Sequence, residues 1–185
     1  MESGVTAARE AAAAAATGDA ALERAVNEAV DGLDGDPAIV LAFPSGAAPA
    51  DLASAMRTLD GVPVVGMTGN GSIGPDGAVE AGCAAVALGG YTQVGVGVTR
   101  EAGEDLRLAA ERAAAEALGR ITPQEGRTAL ILILDTRTGD QSEAIAGAYS
   151  VAGPAVPLAG GAAGGPDPMQ LAAGGALERV GVACA

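Results

Sequence analysis

Two glycine-rich segments and one acidic loop contain the residues that are best placed to do chemistry. Residues 66–71 read GMTGNG and residues 160–164 read GGAAG, and each segment follows Val-Pro and two further apolar residues. Glycine lets a ligand approach the backbone closely, so such segments can offer N–H and C=O groups to a small polar molecule. The acidic loop DTRTGD carries Asp135 and Asp140. A carboxylate pair can hold a hard cation or transfer protons.

The chain lacks most of the side chains that enzymes use. It has no His and no Lys, and all ten of its basic residues are Arg. This composition excludes Ser-His-Asp and Cys-His catalysis, a His-bearing metal site, a Walker A loop and a Lys Schiff base. The loop of Asp135 and Asp140 remains the basis for an enzyme or a metal-binding protein. We interpret it instead as a solvated loop in which Asp140 lies near a helix start, and we predict no enzyme, metal or cofactor.

The two glycine segments are predicted to form a ligand site. Each follows a buried apolar run, and small ligands bind at the carboxyl ends of strands in open α/β sheets. The alternative, that these glycines serve only tight turns or close packing between sheets, stays open. The residues assigned to the site are Gly66, Thr68, Gly69, Asn70, Gly71, Gly160, Gly161 and Gly164.

Residues 69–74, GNGSIG, spell the G-x-G-x-x-G pattern of dinucleotide-binding folds. In those folds the last glycine opens a helix whose N-terminus holds the pyrophosphate. Here Pro75, Asp76 and Gly77 follow, which predicts a turn into a strand. No acidic residue lies about 20 residues further on to bind a ribose. The pattern is therefore not interpreted as a nucleotide site.

Apolar patterns place these segments on alternating helices and strands. Helices are expected over residues 22–33, 51–59, 106–117 and 142–150, and strands over 38–43, 62–66, 83–88, 94–99, 129–134, 156–160 and 180–184. The order helix, strand, helix, Val-Pro strand, glycine loop, strand occurs twice. We therefore predict one α/β domain with a mixed, mostly buried sheet, made by tandem duplication of about residues 1–95 and 96–185.

Composition limits the partners of the chain. It carries 23 acidic and 10 basic residues, a net charge of -13, which disfavours nucleic acids and anionic membranes. With one Phe, two Tyr and no Trp, the core must consist of small aliphatic side chains. Cys83 and Cys184 lie in apolar, strand-like runs and are expected to be buried free thiols.

No targeting or membrane segment is predicted. Glu2 is acidic where a secretion signal would be basic. Residues 144–166 are uncharged and long enough to cross a bilayer, but Pro154, Pro157 and a Gly-Gly pair prevent one continuous helix. We expect a cytoplasmic protein with no membrane insertion.

The chain resembles the N-terminal domain of the FIST family over roughly residues 20–185. The resemblance lies in the segment of residues 62–90, the VGVGVT strand with its Ala-rich helix, and VPLAGGAAG. The positions that match the two glycine segments of the family are Gly66, Thr68, Asn70, Gly160, Gly161, Ala163 and Gly164. Two positions depart from it: Met67 stands where the family usually has Cys, and Ser72 or Ile73 where Glu is common.

The resemblance implies an intracellular sensory module of signal-transduction proteins that binds a small polar ligand such as an amino acid. It implies binding without catalysis, which agrees with the absence of most of the side-chain types that enzymes use, including His and Lys. It also implies a C-terminal companion domain or a signalling partner. A non-catalytic interaction scaffold, in which the glycine segments merely pack, is the third class of function that remains open.

Overall fold

The computed structural model describes residues 10–45, 59, 61–90, 93–99, 105–123, 127–137, 139–165, 168–172, 175–177 and 181–184, the last two ranges as backbone only. The helices are α1 (Ala21–Asp31), α2 (Leu106–Gly119) and α3 (Gln141–Ala152). The strands are β1 (Ala11–Thr17), β2 (Pro37–Ser45), β3 (Val64–Met67), β4 (Ser72–Gly74), β5 (Gly77–Val79), β6 (Gly82–Gly89), β7 (Val96–Thr99), β8 (Leu130–Asp135), β9 (Leu158–Ala163), β10 (Gln170–Ala172), β11 (Gly175–Leu177) and β12 (Gly181–Cys184).

The strands form two mixed sheets and a separate hairpin. The first sheet has the order β1-β6-β2-β3-β10-β11, the second has the order β7-β12-β8-β9, and β4 pairs with β5. Within the two sheets, β2 runs parallel to β3 and β8 runs parallel to β9, while the other pairs are antiparallel. This arrangement confirms the predicted α/β fold, in which the sheets contain both parallel and antiparallel strand pairs.

The helices and the two sheets stack in four layers. The packing of successive residues along the strands shows this order. In β2, Val40 packs in a cluster with α1, whereas its neighbour Ile39 packs in a cluster with Ile133 of the second sheet. In β8, Ile133 faces the first sheet while Leu132 packs against α2 and α3. Successive strand residues point to opposite faces, so both sheets are covered on both sides. The order of layers is α1, first sheet, second sheet, and the pair α2 and α3.

Four strands of each sheet occupy corresponding places. The order β1-β6-β2-β3 in the first sheet matches β7-β12-β8-β9 in the second, with the same parallel and antiparallel pairings. The Val-Pro segments match as well: Val40 donates to the carbonyl of Pro63, and Leu130 donates to the carbonyl of Pro157. These correspondences support the tandem duplication, which stays a prediction.

Some elements differ from the predicted ones. β2 continues through Pro44 and Ser45 because both residues pair with β6. No strand is predicted over residues 11–17, yet this segment pairs with β6 along its whole length. Apart from Leu59, the helix predicted over residues 51–59 lies outside the described residues.

The expected loop at residues 160–164 is largely a strand. Gly160 and Gly161 lie inside β9, opposite Leu132 and Ile133 of β8. When only the sequence is known, paired glycines suggest a turn. In this fold they permit a close approach of two strands. Gly160 has a φ of +149°, and a Cβ built on it would overlap the carbonyl oxygen of Leu132. Gly66 stands at the corresponding position of β3, where a Cβ would overlap the carbonyl oxygen of Ala42.

Adjacent glycines of β9 therefore differ in how well they tolerate a side chain. A Cβ on Gly161 would lie 2.9 Å from the terminal Cε of Met67, which can move aside. We expect Gly160→Ala to lower the free energy of unfolding by about 3 kcal/mol, and Gly161→Ala to lower it by less than about 1 kcal/mol. Urea unfolding of both variants measures the difference. Equal stability of the two variants would contradict the close approach at Gly160.

Candidate functional site

Thr68 joins the two glycine segments. Its backbone carbonyl accepts a hydrogen bond of 2.9 Å from the N–H of Gly164, and its own N–H donates over 2.9 Å to the carbonyl of Met169. Its hydroxyl accepts a third bond of 2.9 Å from the N–H of Met169. Thr68 is 7% exposed, so water does not replace these bonds. The ends of the chain segment from Gly164 to Met169 are thus held by one residue.

The rest of the first glycine segment lies beside the second. The N–H of Gly69 donates to the carbonyl of Pro44 over 3.0 Å, which extends β2 and β3 by one more parallel bond. A Cβ built on Gly165 would lie 3.6 Å from the Oδ1 of Asn70. Asn70 and Gly71 are exposed. The structure therefore brings together two segments that are about half the chain apart in sequence.

Many backbone groups of the predicted site already have protein partners. The amides of Thr68, Gly69 and Gly164 donate to carbonyls, as described above. Gly66 pairs with Ala42 on one side and with Leu171 on the other. The parts of the two segments that face solvent are Asn70, Gly71 and Gly160.

An ion pair between a buried carboxylate and a partly exposed guanidinium lies at the end of β8, next to the second segment. Asp135 is 1% exposed. Arg137 donates to both of its carboxylate oxygens, from Nε over 3.1 Å and from Nη2 over 2.9 Å. The same Nη2 reaches the carbonyl of Pro168 at 2.8 Å, and the hydroxyl of Thr136 donates to the carbonyl of Ala163 over 3.0 Å. This loop therefore fixes both ends of the chain between β9 and β10.

The two acids of this loop do not share a site. The carboxylate of Asp140 accepts a bond of 2.9 Å from the N–H of Ser142 and caps α3, as predicted. Asp135 is instead neutralised by Arg137. Among the described residues, no group of three Cys, Asp or Glu side chains is placed to hold a metal ion.

The G-x-G-x-x-G segment forms a hairpin rather than a helix start. Gly74 ends β4, and Pro75 and Asp76 form the turn into β5. This confirms the turn and strand predicted after Gly74. The hydroxyl of Ser72 donates to the carbonyl of Phe43, which ties the hairpin to β2.

A comparison with protein-family sequences finds a match over nearly the whole length of the chain. The FIST N domain family matches residues 6–185. The chain belongs to the FIST family. FIST domains are sensory domains and are generally non-catalytic. A comparison with curated proteins finds no match. None of the helices in the described part of the chain has the length and apolar character needed to cross a membrane.

Within this FIST domain, the position where the family usually has Cys holds a side chain that touches the other segment. Met67 lies between the two sheets and reaches Gly161. Cys83, by contrast, is a buried free thiol, as predicted. Its burial raises the pKa of the thiol to about 12, although a hydrogen bond involving the Phe43 backbone lowers it in part. Such a thiol is unreactive at neutral pH. The side chain of Cys184 lies outside the described residues.

Arg137 and Gln170 are the site residues that the sequence does not predict. Arg137 lies between the two acids of the DTRTGD loop, and this offers a weak signal for an ion pair. Gln170 follows Pro168 and Met169 in a stretch with no recognisable motif. Its place depends on the pairing of β10 with β3, which is a contact between distant parts of the chain.

The hydrogen bond of the Thr68 hydroxyl can be tested separately from the volume of the Thr68 side chain. Thr68→Val keeps the volume but leaves the buried N–H of Met169 without its acceptor, and we expect a loss of about 2 kcal/mol in the free energy of unfolding. Thr68→Ser keeps the acceptor and removes one methyl group, so its cost should stay below about 1 kcal/mol. Urea unfolding compares the variants, and a Ser variant as unstable as the Val variant would contradict this role of the hydroxyl.

Proposed function

We propose that this FIST domain is a cytoplasmic sensory domain that binds a small polar ligand, with amino acids as the favoured class, at the two glycine segments. The observation that supports this proposal is the junction at Thr68, which places residues 66–71 beside residues 160–164. In signal transduction the domain would act with a C-terminal companion domain or a separate signalling partner.

The exposed edge of β9 offers backbone donors to such a ligand. In a parallel ladder, alternate residues bond to the neighbouring strand. Leu130 donates to Pro157, and Gly164 donates away from β8 to Thr68, so the amide of Gly160 also faces away from β8. This amide is available to a ligand carboxylate. With no Lys or His in the chain, backbone donors and Arg side chains must supply this recognition.

Asn70 and Arg137 add polar side chains beyond the carboxyl end of β9, beside Gly165 and Pro168. Asn70 is exposed and provides both an amide donor and an amide acceptor. Arg137 is 36% exposed and reaches the segment that follows Gly164 through the carbonyl of Pro168. A ligand that carries both an anionic and a hydrogen-bond-donating group matches this mixture of groups.

A thermal-shift screen of the twenty amino acids tests this proposal. A ligand at 100 times its dissociation constant stabilises by about 2.7 kcal/mol, which corresponds to roughly 5–11 °C for a domain of this size. Gly164→Val adds bulk at the site where a Cβ meets no atom within 4 Å, so the fold should tolerate it while binding is lost. Gly161→Val should weaken binding as well, because it displaces Met67.

Gly35→Val is the matched control, since a Cβ there also meets no atom within 4 Å and the residue follows α1, far along the chain from both segments. This control should keep the ligand-induced shift. The proposal is wrong if no amino acid stabilises the wild type, or if Gly164→Val responds as the wild type does.

A further inference from the structure

Gln170 is a buried polar side chain in the layer between the two sheets. It is 0% exposed and stands directly opposite Met67 in the pairing of β10 with β3. Its amide Nε2 crosses to the second sheet and donates to the carbonyl of Leu134 over 3.0 Å. Its side chain therefore links the two sheets at the end of β8.

The other half of this amide has no hydrogen-bond partner among the described residues. The Oε1 of Gln170 is buried and accepts no hydrogen bond from the described residues. Buried polar atoms in proteins are nearly always paired, and an unpaired acceptor calls for a specific explanation. An amide oxygen can only accept, so the missing partner is a hydrogen-bond donor.

The position of Gln170 connects this oxygen with the glycine segments. The preceding residue, Met169, makes two of the hydrogen bonds that Thr68 forms. Directly opposite residues in an antiparallel pair have neighbouring side chains on one face, so Met67 lies beside Gln170. Met67 in turn contacts Gly161. A shift of this flexible side chain would open a path from the glycine segments to the Gln170 amide.

We infer that Gln170 determines the specificity of the site for a ligand that carries a primary amine, whose N–H donates to Oε1. This inference rests on the proposed function and adds the amine as the required group. The carbonyl of Leu134, to which Gln170 is bonded, directly precedes Asp135, whose carboxylate is already paired with Arg137, so the donor to Oε1 must come from the ligand. A ligand carboxylate or ether oxygen at this position would face an acceptor and would gain no hydrogen bond.

Titration calorimetry with the twenty amino acids and their Nα-acetyl forms tests the inference on the wild type. Acetylation removes the charge and leaves a single bulky amide N–H in place of the amine. We expect the acetylated form of any amino acid that binds to have a dissociation constant at least tenfold larger than that of its parent. Equal dissociation constants of the two forms would overturn the inference.

Gln170→Leu and Gln141→Leu form a matched pair of variants. Gln141, at the start of α3, also has a buried amide oxygen that accepts no hydrogen bond from the part of the chain that the structure describes, while its Nε2 donates to the carbonyls of Asp135 and Gly139; α3 covers the opposite face of the second sheet. We expect Gln170→Leu to weaken binding of the free amino acid at least tenfold, and Gln141→Leu to change it less than twofold. Gln170→Met repeats the test with another apolar side chain of similar length.

The outcomes separate this inference from the proposed function. If Gly164→Val abolishes binding but Gln170→Leu and Gln170→Met bind as the wild type does, the site stands and the role of Gln170 is wrong. If no amino acid binds the wild type, the proposed function and this inference both fail.

Discussion

The hydrogen bonds of Thr68 are the constraint on which the arrangement of this site depends. Its carbonyl holds Gly164, while its N–H and hydroxyl hold Met169. One short side chain at the end of β3 thereby fixes where the chain leaves β9 and where it enters β10. The pairing of β10 with β3, and with it the position of Gln170, follows from this junction. Two segments that are distant in sequence become one surface.

A second constraint is the use of glycine where backbones meet. Gly66 and Gly160 bring neighbouring parallel strands so close that a Cβ would overlap a carbonyl oxygen, and Gly147 does the same between α3 and Arg107 of α2. The scarcity of aromatic residues fits this packing, because the core clusters consist largely of Ala, Val, Leu and Ile. Close backbone contact replaces large side chains as the means of filling the interior. Gly66 and Gly160 therefore have a structural role at positions where the sequence left both a ligand site and close packing open.

The regular elements were predictable because their residues carry local patterns. The apolar face of α1 and the uninterrupted run of β8 follow directly from their spacing, and Asp140 caps α3 as its residue type indicates. The alanine run of β1 was not predictable, since its pairing with β6 overrides the helix preference of alanine. The predicted strand ends at Gly160 and a loop is expected from there to Gly164, but the partner strand β8 is long enough to extend the pairing through Ala163. Gln170 carries no local signal, because its contacts depend on the register of distant strands.

The account depends most directly on the hydrogen bond from the N–H of Met169 to the hydroxyl of Thr68. Amide hydrogen exchange of Met169, measured in the wild type, Thr68→Val and Thr68→Ser, tests this bond. We expect exchange about tenfold faster in Thr68→Val and near the wild-type rate in Thr68→Ser, because only Val removes the acceptor. The amide of Leu130, which is bonded to Pro157, reports on global opening and should change much less. If Met169 exchanges at the same rate relative to Leu130 in all three proteins, Thr68 does not hold the two segments together.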